Sequence, residues 1–76
     1  MIVQVETDAQ HSAKKEPIHF FLGLRRIAVV DIVDRWPTID YTYFKVQADD
    51  GNTYILKYDG NADQWEMTFF QAGYQI

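Results

Sequence analysis

Residues 41–58 read YTYFKVQADDGNTYILKY, and the reading of this stretch decides the fold. Two runs rich in aromatic and β-branched residues flank Asp49-Asp50-Gly51, and Asp-Gly between such runs signals a β-hairpin. Two loops fit that turn. A two-residue loop, Asp50-Gly51, sets Val46 against Ile55 and Phe44 against Lys57. A three-residue loop, Asp49-Asp50-Gly51, puts Gly51 in the left-handed region, which glycine enters without a Cβ clash. It sets Ala48 against Asn52, Val46 against Tyr54 and Phe44 against Leu56. Directly opposed residues share a face of the sheet, and a one-residue slip exchanges faces. Only the three-residue loop gathers Phe44, Val46, Tyr54 and Leu56 on one side as a core. The other side then carries Tyr43, Lys45, Ile55 and Lys57, with Tyr41 at its margin.

The flanking segments extend this hairpin into a meander. On the carboxyl side, a four-residue loop over residues 60–63 sets Tyr58 against Trp65, Leu56 against Met67 and Tyr54 against Phe69. That register leaves Thr68 and Phe70 on the outward face. On the amino side, Gly23-Leu24 joins a strand over residues 18–22 to a long run over 25–36, placing Phe20 opposite Ile27 and His19 opposite Ala28. The long run is apolar on both faces, with Ile27, Val29 and Val33 on one side and Ala28, Val30, Ile32 and Trp36 on the other. Without a helical crossover it is not a parallel-sheet strand. It is either a long bent strand of a small barrel or a strand covered by another subunit or by the amino-terminal arm. Pro37 cannot donate to a ladder and ends it. The expected fold is all-β: an antiparallel meander of about five strands closed into an SH3-like or similar small barrel, with an open sheet completed by dimerisation as the alternative. Residues 1–16 read as a polar amino-terminal arm with room for a short edge strand, and residues 17–76 as a single β domain.

A chain of 76 residues has one core. It has no cysteine, which excludes disulfides and thiolate metal sites. The net charge of −4 disfavours a nonspecific nucleic-acid binder, whose affinity rests on neutralising phosphates. No apolar run approaches membrane-spanning length. The amino end lacks the basic start and apolar middle of a secretory signal, so the expected location is cytoplasmic.

The candidates for chemistry are thin. His11 and His19, the only histidines, have no ligand spacing, and no cofactor or metal is expected. Asp59, Asn61 and Asp63 imitate the start of a calcium loop, but Gln64 stands where glycine belongs and Phe70 where the distal glutamate belongs. Asp31 and Asp34 fall on opposite faces of a straight strand. They read as partners for Arg35 and for Arg25 or Arg26 rather than as an acid–base pair. Ser12, the only serine, sits in the polar arm, and no enzyme is expected.

The pattern Arg25-Arg26 leading to Asp34-Arg35-Trp36, then Asp49-Asp50-Gly51 with Tyr54-Ile55-Leu56, then Trp65-Glu66-Met67, resembles a family of short uncharacterised prokaryotic all-β proteins, a domain of unknown function. The resemblance covers about residues 17–70. It implies an all-β fold and a prokaryotic or phage-like origin, and carries no activity or site with it.

The functional expectation therefore rests on the outward face, with Tyr41, Tyr43, Lys45, Ile55, Lys57 and Phe70 as its binding surface. The expected role is non-enzymatic protein interaction or self-association, in which the partner is a second copy or another protein. Single-stranded nucleic acid is the alternative, since aromatics interleaved with lysines can stack bases and hold phosphates.

Overall fold

A computed structural model describes residues 1–8 and 16–73. Its strands are β1 (Ile2–Val3), β2 (Val5–Thr7), β3 (Pro17–Leu22), β4 (Arg25–Pro37), β5 (Tyr41–Ala48), β6 (Thr53–Asp59) and β7 (Gln64–Gln71). All pair antiparallel in one seven-stranded sheet of order β1-β7-β6-β5-β4-β3-β2. β1 and β2, the two ends of that order, are separated in the chain only by Gln4. One bent amino-terminal segment thus pairs with β7 through its first half and with β3 through its second, and the sheet curls into a nearly closed barrel. β3 to β7 are the five strands of the expected meander. The other two come from residues assigned to the amino-terminal arm. His11, Ser12, Tyr74 and Ile76 lie outside the described residues.

The hairpin of β5 and β6 has the three-residue loop. Val46 opposes Tyr54, Phe44 opposes Leu56, Tyr43 opposes Lys57 and Lys45 opposes Ile55. Gly51 sits at φ 84°, its amide donates to Ala48 O at 3.0 Å, and the Ala48 amide donates to Asn52 O at 3.0 Å. Asp50 secures the turn from the side chain: its Oδ1 accepts the Asn52 amide at 3.0 Å and its Oδ2 accepts the Tyr54 hydroxyl at 2.5 Å. Phe44, Val46, Tyr54 and Leu56 are all buried.

β4 bulges twice, and this redistributes its two apolar faces. The register with β5 slips between Val29 and Asp31 and again between Ile32 and Asp34. A bulge inserts one unpaired residue and bends the strand. Val30 and Val33 are the inserted residues, 66% and 53% exposed. Each slip restores the inward phase, so Ile27, Val29 and Ile32 all reach the core, although alternation sets Ile32 against the other two. Bulging also corrects the placing of Asp31 and Asp34. They oppose Gln47 and Lys45, so both lie on the outer face rather than on opposite faces. Arg35 pairs with Glu16 at 2.8 Å and Arg26 with Glu6 at 2.8 Å, so neither takes the aspartate expected for it.

The core runs from Phe20 and Ile27 through Val46, Tyr54 and Leu56 to Phe44, Trp65 and Val3. Its rings meet edge to face or tilted: Phe20 lies 4.8 Å from Tyr54, Tyr58 4.8 Å from Trp65 and Phe44 5.6 Å from Trp65. Such contacts add about 0.5–1.5 kcal/mol each beyond area burial. Among the described residues, no buried side-chain nitrogen or oxygen lacks a partner, and no helix is long and apolar enough to cross a membrane.

Candidate functional site

The registers of β1 and β4 to β7 lay out the outer face as rows running across the strands. One row reads Trp36, Tyr43, Lys57, Glu66, Ile2. The next reads Asp34, Lys45, Ile55, Phe69. Tyr41, opposite Asp59, begins a third row beside the first. Tyr41, Tyr43, Lys45, Ile55 and Lys57 therefore share one face, each half-buried by its neighbours.

Phe70 does not join them. β7 carries a bulge, because Leu56 opposes Met67 while Ile55 opposes Phe69, leaving Thr68 as the extra residue. From there the alternation is inverted. Phe70 opposes Tyr54 and tilts against its ring at 5.4 Å, closing the inner row, and Phe69 takes its place beside Ile55. The sequence signal for this is slight: Phe69-Phe70 is one of three adjacent aromatic pairs in the strands of the meander, and either ring fits either face. Trp36 is the other residue that the sequence reading left out of the surface: it set Trp36 on the face away from Ile27, and the two bulges of β4 cancel in phase by that point and keep it there. It stacks on Tyr43 with ring centroids 5.5 Å apart and planes within 8°. Tyr41 meets Tyr43 edge to face at 6.5 Å.

Lys57 of this face is engaged. Lys57 Nζ lies 3.0 Å from Glu66 and 4.5 Å from the Tyr41 ring centroid. The Glu66 hydrogen bond holds the Lys57 ammonium above its usual pKa, and the same bond holds the Glu66 carboxyl below its own. Lys45 stands opposite Asp34. Each lysine is matched by a carboxylate on a neighbouring strand, so the face is aromatic and carries no cation in excess.

The remaining candidates are committed to structure. Asp59 Oδ1 accepts the amides of Asn61 at 3.0 Å and Ala62 at 3.3 Å, and Asp63, at φ 49°, accepts the Tyr58 hydroxyl at 2.8 Å. The carboxylates that imitate a calcium loop thus hold a β-turn. His19 opposes Ala28 and lies 3.4 Å from Glu6, which Arg26 also contacts. Among the described residues, no group of three or more His, Cys, Asp or Glu is placed to hold a metal ion. A cleft of about 440 Å³ lies at the barrel seam between β2 and the start of β7, with Val3 and Trp65 in its lining. Comparison with known proteins returned no matching family model, no matching curated protein and no matching solved structure.

Proposed function

We propose that this domain is a non-catalytic protein-contact module that receives a partner chain, a second copy or another protein, on the outer face of β4 to β7. The contact is centred on Tyr43 and includes Trp36, Tyr41, Lys45, Ile55, Lys57 and Phe69. The observation that carries the reading is the pairing of charge within an aromatic surface: Lys57 with Glu66, and Lys45 opposite Asp34. A phosphate-binding face needs uncompensated cations, because its affinity comes from counterions released by phosphates. Aromatic side chains with their charges internally matched suit a protein interface, whose core is depleted of free charge and enriched in tyrosine and tryptophan. The proposal extends to a cytoplasmic setting in a prokaryotic cell, supported by the cysteine-free sequence and the resemblance described above.

A photo-reactive residue in place of Tyr43 tests it. One protein species should be captured, and Ile55→Asp should abolish the capture while leaving the thermal transition in place. Saturable oligonucleotide binding that weakens steeply with salt and is lost in Lys45→Glu would replace this reading with the nucleic-acid one.

A further inference from the structure

We infer that the partner is a second copy of this chain, and that two copies join by antiparallel pairing of the free edge of β7 about a twofold axis. The inference rests on the proposed contact face, which reaches the β7 edge at Phe69, and names the occupant of that margin. β7 is bonded to β6 along its length, but on its other side it meets β1 only at Trp65 and Glu66, with a last bond from the Met67 amide to Met1 O at 2.8 Å. Beyond that bond, residues 68–71 continue as strand with a ladder on the β6 side alone among the described residues. β3, across the seam, shares no ladder with β7.

A strand edge with unpaired amides and carbonyls is a template for another strand, and proteins usually blunt it with lysine, proline or charge. Thr68-Phe69-Phe70-Gln71 has none of these. The other edge at the seam, β2, does. It is short, bulged between Glu6 and Thr7, and carries Glu6 in contact with Arg26 and His19.

Charge points to the occupant. The chain carries a net charge of −4 and repels its own copies over much of its surface. Residues 68–71 and the adjoining Ile55 are uncharged, so a twofold axis through this segment sets neutral residues against neutral ones. An isologous contact needs such a self-complementary patch. Phe69 ends an outer row and Phe70 an inner one, 45% and 51% exposed, so a strand added at this edge covers both. A four-residue ladder with two phenylalanines per copy falls short of the roughly 1,600 Å² of a standard interface. The expected dimer is accordingly micromolar and reversible.

Sedimentation velocity over a range from about 1 μM to 1 mM should show a monomer–dimer equilibrium. Phe69→Lys, at an exposed position, should raise the dissociation constant about tenfold or more without lowering the melting temperature of the monomer. Hydrogen exchange on the unaltered chain supplies a second reading: free-edge amides within residues 68–71 should gain protection as concentration rises. A chain that stays monomeric overturns the inference, as does a dimer in which those amides exchange as fast as in the monomer. In either case, capture of a different protein from position 43 leaves the contact face standing, whereas loss of that capture ends the proposed function itself.

Discussion

The Tyr54 hydroxyl and the Asp50 carboxylate, 2.5 Å apart, tie the tip of the central hairpin to its second strand. Burial alone would raise the pKa of Asp50. The hydrogen bonds from Tyr54 and from Asn52 outweigh it and hold the carboxyl below its ordinary value. Burial and the bond to Asp50 both push the Tyr54 hydroxyl upward. The two groups therefore act at opposite ends of the pH scale. A carboxylate depressed in the folded state contributes stability above its unfolded pKa, about 3.9, and loses it as pH falls through the lower folded value. A phenol raised in the folded state contributes below its unfolded pKa, about 10, and loses that contribution as pH rises through the higher folded value. Tyr54→Phe keeps the ring against Phe20 and Phe70 and removes the bond. Urea denaturation at pH 7 should show a loss of about 2 kcal/mol, the range for a hydrogen bond to a charged group. Repeated across pH, the variant should have a flatter acid limb and no alkaline loss from this position. The loop that positions Asp50 was legible in the sequence, because Gly51 and the four apolar residues beside it admit one register. The hydroxyl contact was not, since residue order carries no information about where a side chain's tip comes to rest.

Bulges decide what each strand presents, and they explain most of what sequence alone could not place. In β4, strict alternation puts Val33 with Ile27 and Val29, and Ile32 opposite to them; two inserted residues reverse that assignment. Val33→Lys should therefore change stability by no more than about 0.5 kcal/mol, as at an ordinary surface site. Ile32→Asp, one position away, should cost more than about 2 kcal/mol by burying an unpaired carboxylate against the core. Thermal melts of the two variants provide the comparison, and equal effects would mean that the bulges are misplaced. A bulge leaves no composition signal where valine serves equally as an inserted or an inward residue. The same ambiguity in Phe69-Phe70 exchanged one member of the contact face. Tyr43, Lys45, Ile55 and Lys57 were placed from sequence because β5 and β6 pair with each other without a slip.

At the scale of the molecule, the barrel closes through the residues with the least visible pattern. β1 and β2 together hold five residues, too few to display a period, yet Val3 is buried against the Trp65 end of the core. Val3→Asp should open the seam. A domain of this size has on the order of 5–10 kcal/mol in reserve, and a buried unpaired charge removes a large part of it. The expected result is a red-shifted Trp65 emission and loss of a cooperative melt; a native-like melt would show that β3 to β7 hold the core unaided. The bond from Met67 to Met1 also has a meaning in time. Residues 2–3 leave the ribosome before their partner strand β7, with five other strands made in between. The barrel wall stays open until β7 is made, and contacts this distant in sequence place folding in the millisecond-to-second range rather than the microsecond range of local topologies. Once β7 is made, and until β1 docks on it, the newborn chain is an open sheet with Trp65 bare at one rim, so the time that this rim stays exposed is set by how fast β1 finds β7.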